Sequence, residues 1–267
     1  YLVDYFLTLF VPGQDRIQLT IVDGFCGGGR YVNQSDNIVP GSPLVILQSV
    51  KEAEARLHQT HQLRKTVTLD IELICVDEDP SAIEHLRRGL VEEGYEPNIR
   101  TGSIKLLTGT FVAHANDILK EVTRRSPQAG RAVYVLDQYG YDDVPASALQ
   151  AIFQTLKGGE VILTFNVDSL INFLSDKNLR AFERKTEFTG ALSAAHLDKQ
   201  KRTPGWRREV QANLYQRLIK QSNAPFFTPF FIRPERGHGD FWLVHLSRHW
   251  KARDVMTGAH WRHHNHF

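Results

Sequence analysis

Three short clusters in this sequence combine residue types that could do chemistry. The first is Asp23-Gly24-Phe25-Cys26-Gly27-Gly28-Gly29, which follows directly on the β-rich run Ile17 to Val22. Glycines at such a place let the backbone turn sharply and come close to a ligand. A dinucleotide fingerprint would continue as G-x-G-x-x-G/A and open a helix. Gly27 and Gly29 fit that pattern, but Val32 stands at its third position and the next helical pattern starts late, at Ser42. A nicotinamide dinucleotide is therefore a poor match. The second cluster, Asp77-Glu78-Asp79-Pro80, ends the apolar run Ile71 to Val76. Alone, such a cluster is more often a helix N-terminal cap. The third, Asp137-Gln138-Tyr139-Gly140, sets a carboxylate beside an aromatic ring at the end of Ala132 to Leu136. Thr108-Gly109-Thr110-Phe111 is either a ligand wall or a plain turn. Cys26 and Cys75 form no C-x-x-C pair and read as buried free thiols. His260, His263, His264 and His266, around Trp261, read as a tail rather than a metal site.

The elements that must hold these clusters alternate. Tyr1 to Phe10 has an apolar helical face, broken by Pro12-Gly13. Ile17–Val22, Ile71–Val76, Ser103–Leu107, Ala132–Leu136 and Val161–Phe165 read as strands. Helical patterns lie between them: Ser42 to Leu63, with Ser42 as cap and Pro43 in the first turn, then Ser81 to Glu93, Ala113 to Arg124, and Pro145 to Leu156, closed by Gly158-Gly159. Arg30 to Gly41 reads as an irregular loop. Five β runs alternating with helices predict a doubly wound, Rossmann-like, mostly parallel α/β sheet. Residues 168–222 read as a helical insert within a single domain spanning 1–267. Pro225–Ile232 and Asp240–Ser247 then form an antiparallel hairpin, since the link between them is too short for a crossover helix. That brings the sheet to about seven strands.

This order is that of class I methyltransferase-like domains, and D-x-F-x-G-x-G resembles their S-adenosylmethionine loop. The resemblance implies that Asp23, Phe25, Gly27 and Gly29 face the methionine part of that ligand. It implies that Asp77, with Glu78 as its neighbour, binds the ribose, because one carboxylate suits two adjacent hydroxyl donors. Thr110 and Phe111 would line the adenine pocket. Amino-methylating DNA enzymes place an acid or amide, two prolines and an aromatic at the third site. Asp137 would accept a hydrogen bond from the target amine and Tyr139 would stack on the base, a contact of about 1–3 kcal/mol. A cysteine nucleophile for C5 chemistry is missing there. Over nearly the whole chain the sequence is similar to the three-Cys-motif partner family of bacterial proteins. The similarity rests on Tyr1-Leu2, Asp23 to Gly29, Gly41-Ser42-Pro43-Leu44, Val135 to Gly140, Trp206, Tyr215-Gln216-Arg217-Leu218, Phe241 to His245, His249-Trp250-Lys251-Ala252 and Met256. Gln138 replaces the family's proline. This resemblance implies association with a cysteine-motif, radical-type iron–sulfur protein.

Composition sets the class and the partners. The chain has 267 residues, 42% hydrophobic and 23% charged, which suits a globular body with a sizeable core. No apolar run is long enough to span a membrane, no leader pattern is visible, and two cysteines suit a reducing, cytoplasmic setting. The chain opens on Tyr1 and reads as trimmed. From Lys201 onward there are 12 Lys/Arg against 4 Asp/Glu, so a local excess of +8 sits on a body of about −6 within a total of +2. An anionic partner such as nucleic acid is expected, with Arg207, Arg208, Arg233 and Arg236 on its phosphates. Three functions stay open: methyl transfer from S-adenosylmethionine, a non-catalytic partner subunit, and a nucleic-acid-processing enzyme with Asp23, Asp77 and Asp137 around a metal.

Overall fold

The structure is a computed structural model that describes residues 1–11, 14–33, 35–61, 67–140, 142–166, 176–189, 206–232 and 241–262. Along the chain these form α1 (Leu2–Leu9), β1 (Arg16–Asp23), β2 (Arg30–Val32), β3 (Ile38–Pro40), α2 (Ser42–His61), β4 (Thr68–Asp77), α3 (Pro80–Glu92) and α4 (Glu96–Thr101). There follow β5 (Ile104–Thr108), α5 (Phe111–Arg125), β6 (Arg131–Leu136), α6 (Ala146–Thr155) and β7 (Gly158–Asn166). The last elements are α7 (Asp176–Thr186), α8 (Trp206–Ser222), β8 (Phe226–Ile232), β9 (Phe241–Ser247) and α9 (Trp250–Arg262).

Seven strands make one sheet in the order β5-β4-β1-β6-β7-β9-β8. β1, β4, β5, β6 and β7 pair in parallel, and β9 alone runs against its neighbours β7 and β8. This is the Rossmann-like arrangement of methyltransferase-like folds, closed by a C-terminal antiparallel pair. The central strands are apolar on both faces because helices cover both. In β1, Ile17, Leu19 and Ile21 face α1, α2 and α3, while Val22 faces the core shared with α5, α6, α7 and α8. β6 alternates the same way, with Val133 on the first face and Ala132, Tyr134 and Leu136 on the second. Both described stretches of the expected insert, α7 and α8, are helical and pack onto the second face through Leu179, Phe182, Val210, Leu214 and Leu218.

Four details depart from the sequence reading. The segment read as a loop over residues 30–41 contains a small antiparallel ribbon, with Arg30↔Pro40, Tyr31↔Val39 and Val32↔Ile38 in register. Gly158 and Gly159 do not cap α6. They begin β7, where a side chain on Gly158 would stand 3.0 Å from Arg131 Cγ and 3.1 Å from the Ala129 carbonyl. The short helix α4 was not anticipated. His260 and Trp261 belong to the helix α9, not to a loose tail, while His263, His264 and His266 lie outside the described residues.

The edge of the sheet where the parallel strands begin is stitched by charge. Lys105 pairs with Glu72 and, at 2.8 Å, with Glu121, while Arg125 reaches Asp70 at 2.6 Å and Glu72 at 3.4 Å. Glu72 is buried, so it needs these cations. Further along, Tyr1, Glu160 and His245 form a second buried polar cluster. At the opposite edge, where the parallel strands end, none of the strand-end carboxylates Asp23, Asp77 and Asp137 is in an ion pair among the described residues.

Candidate functional site

The chain leaves β1 toward β4 and β5 on one side, then returns to β6 on the other. Between β1 and β6 the loops after the strands diverge, and a crevice at such a switch point is where open α/β sheets receive ligands. All three sequence clusters end here. Asp23 is the last residue of β1 and Asp77 the last of β4, while Asp137 directly follows β6.

The glycine loop bridges its neighbours. The Gly24 amide donates to the Val135 carbonyl of β6 at 2.9 Å, and the Cys26 amide to the Val76 carbonyl of β4 at 3.0 Å. Gly27 (φ +58°) and Gly29 (φ +77°) hold left-handed backbone, which costs side-chain-bearing residues about 1–2 kcal/mol. A Cβ on Gly24 would fall 2.6 Å from Leu136 Cδ2. The His85 ring on α3 donates Nδ1–H to the Gly28 carbonyl at 2.7 Å. That bond needs the proton on Nδ1, so it sets the tautomer.

Asp23 is completely buried, and its Oδ2 has no hydrogen-bond partner. Burial pushes its pKa up to about 6, with Asp137 and Asp77 adding negative charge, while the Ser42 hydroxyl and the Phe25 amide pull the other way. Asp77 is held differently. Its Oδ2 accepts from the Gly27 amide at 2.8 Å and its Oδ1 from the Asp79 amide at 3.0 Å. Those two bonds fix the carboxylate and leave further lone pairs to accept donors. Glu78 beside it is exposed. Asp79 does what the bland reading assigns, capping α3 through the Ser81 amide.

After β6 the side chains diverge. Gln138 turns inward, donating to the Thr164 carbonyl at 3.0 Å and accepting from the Asp143 amide at 3.0 Å. It is 3% exposed. This clamp ties the loop to β7 and leaves Asp137 exposed and Tyr139 98% exposed. α7 lies beside the same loop, with Lys185 bonded to Asp142 at 2.7 Å and Glu187 accepting from the Ser147 amide at 2.8 Å.

Two predicted wall residues do other work. Thr110 caps α5 by accepting from the Ala113 amide. Phe111 is 1% exposed, packed beneath half-buried Phe25 and against Tyr134. The side chains of Arg207 and Arg208, on α8, and all of Arg233 and Arg236 lie outside the described residues. Among the described residues no group of three or more His, Cys, Asp or Glu side chains could hold a metal ion. Asp23, Asp77 and Asp137 thus do not converge as a metal set. Cys26 and Cys75 are free and buried. No described helix is long and apolar enough to cross a membrane.

Sequence reasoning missed Tyr31. Its ring lies against the glycine loop: a Cβ on Gly27 would stand 2.2 Å from the Tyr31 hydroxyl, and one on Gly41 would stand 2.6 Å from ring Cε2. Burial and the neighbouring Asp23, Cys26, Asp77 and Asp137 raise its phenol pKa. The ribbon carrying it is closed at its base by the Gly41 amide donating to Gly29 at 2.7 Å. The signal was the pair Gly29 and Gly41 around a segment that leaves and returns.

No family model matches the sequence. No curated protein matches it either. Solved structures do. A Legionella pneumophila protein of the DUF519 family is 10% identical over 97% of this chain and 86% of that chain, with a TM-score of 0.46. A candidate rRNA methylase of Clostridium thermocellum is 12% identical over 92% of each chain, with a TM-score of 0.40. The methyltransferase domain of the bacterial protein CtHen1-C is 14% identical over 85% of this chain and 89% of that one, with a TM-score of 0.38.

Proposed function

We propose that the crevice binds S-adenosylmethionine and that the protein transfers a methyl group from it to an amine on a flat, anionic substrate, nucleic acid being the best match. The observation that carries this reading is Asp77 at the end of β4, its carboxylate fixed by the Gly27 and Asp79 amides with lone pairs left over, beside the left-handed turn of the glycine loop. These residues fit the ligand. Asp77 offers lone pairs to a diol, and the left-handed Gly27 and Gly29 turn the loop so that the Gly27 amide holds that carboxylate in place. When bound, S-adenosylmethionine supplies an electrophilic methyl carbon. The chain's own part is positioning. Asp137 would accept the hydrogen bond of the acceptor N–H and take up its proton, and the bare ring of Tyr139 would stack on the acceptor. Arg207, Arg208, Arg233 and Arg236 would meet its phosphates.

Thermal or urea unfolding with and without S-adenosylmethionine tests the first step. At 100 times its dissociation constant, a ligand that binds only the folded state stabilises it by about 2.7 kcal/mol. Wild type should gain that much, and Asp77→Ala and Gly27→Ala should not. No gain in wild type would end the reading.

A second reading has its own support. The rim of the crevice is apolar and open: Val32 is 67% exposed, Ile38 73% and Tyr139 98%. Such a rim would suit a protein surface, as a non-catalytic subunit beside a cysteine-motif iron–sulfur protein would require. Co-purification with that partner, together with silent methyl-transfer assays, would favour this reading.

A further inference from the structure

We propose that Tyr31 is a specificity-determining wall of the crevice, and that with the unpaired carboxylates around it the site selects a positively charged ligand over its neutral counterpart. The proposal rests on the S-adenosylmethionine reading and adds which charge state of that ligand is held.

Asp23, Asp77, Glu78, Asp79 and Asp137 stand at the ends of adjacent strands β4, β1 and β6. Among the described residues none of them is in an ion pair, whereas the opposite edge of the sheet is laced with Lys105, Arg124 and Arg125. The basic residue closest in sequence, Arg30, is turned away to Glu92 at 2.6 Å and Glu93 at 2.9 Å on α3. The groups acting most strongly on Tyr31 are all anionic or potentially so. Clustered, partly desolvated negative charge without a counter-ion is costly unless a cation completes it. Asp23, fully buried beneath this cluster with its Oδ2 unpartnered, adds to the same negative field from below.

Tyr31 supplies the second element of selectivity. The ribbon places its ring over Gly27 and Gly41, two positions with no Cβ to obstruct it, and the residue stays 48% exposed. An aromatic face attracts a cation within about 6 Å of its centre. In S-adenosylmethionine the sulfur is a sulfonium cation. In the demethylated product it is a neutral thioether of nearly the same shape. A wall that discriminates these two holds the reactant and releases the product.

Calorimetric titration of the full chain with S-adenosylmethionine and, separately, with S-adenosylhomocysteine tests this. Wild type should hold the sulfonium at least about tenfold more tightly than the thioether. Tyr31→Phe keeps the ring and should keep the ratio. Tyr31→Leu keeps bulk but not the π face, and should bring the ratio to near one by weakening the sulfonium alone. A wild-type ratio of one or less overturns the proposal without any variant, and so does a ratio unchanged in Tyr31→Leu. If wild type binds neither compound, the S-adenosylmethionine reading falls and takes the proposal with it. Binding of both at equal strength removes the proposal alone.

Discussion

At Asp23 the fold holds a carboxyl where ionising it is expensive. Its pKa of about 6 lies above the 3.8 of an unfolded aspartate. A raised carboxyl favours the folded state most below pH 3.8, and that contribution is lost as pH climbs through 6. The difference of about two pH units corresponds to about 3 kcal/mol. Asp23→Asn removes this dependence. At pH 8 the variant should resist urea better than wild type by up to about 3 kcal/mol, and near pH 4 the two should coincide. Equal stabilities at pH 8 would show that the buried carboxyl is not held at a cost. Gly27→Ala acts in the opposite direction. It forces left-handed backbone on alanine and drives a methyl into the Tyr31 hydroxyl, so a loss of about 1–3 kcal/mol is expected in the same titration. These acids were legible in the sequence because each closes an apolar run. Tyr31 was not, because it reaches the loop through cross-strand pairing that no local spacing reveals.

The loop after β6 shows how one side chain sets up an element. Gln138 spends both ends of its amide on main chain, and its neighbours face outward as a result. Gln138→Ala should cost about 1–3 kcal/mol through the unpaired groups it leaves. Amide exchange at Asp143 should quicken along with it, since that N–H loses its acceptor. Unchanged exchange would mean that the clamp does not order the loop. From sequence, Gln138 was only a departure from the resembled family's proline, and its inward bonds depend on Thr164, 26 residues away. The long elements were legible for the usual reason: apolar runs for β1, β4 and β6, helical periodicity and caps for α3 and α5. The ribbon β2–β3 was illegible because its strands have three residues each, too few for any period to show, and neither buries a residue fully. Gly158-Gly159 misled because a glycine pair after a helix resembles a cap, whereas tight packing against Arg131 demanded the small residues.

Over the whole molecule the two edges of the sheet respond to pH in opposite senses. Glu121, bonded to Arg124 and Lys105, is held at about 2, below its usual 4.5. Its contribution is present above pH 4.5 and fades as pH falls toward 2, the reverse of Asp23. Partial exposure screens part of it. The summed effect of these two carboxyls places their best compromise at about pH 4. Urea midpoints should rise from about pH 2 to 4 and fall from about pH 4 to 6. Lys105→Met should cost about 1–3 kcal/mol at neutral pH, because buried Glu72 then keeps only Arg125. A variant as stable as wild type would mean that Arg125 suffices.

The bond between Gly29 and Gly41 makes residues 30–40 a detour that departs from and rejoins the chain at one point. A segment attached in this manner is modular. Its tip at residues 33–37 can be lengthened at little cost, since loop closure grows only slowly with length. Replacing the detour by a short glycine bridge should leave β1, α2 and the melting transition intact while changing what the crevice admits. Ligand preference in this scaffold can therefore diverge by trading one small graft, without renegotiating the sheet beneath it.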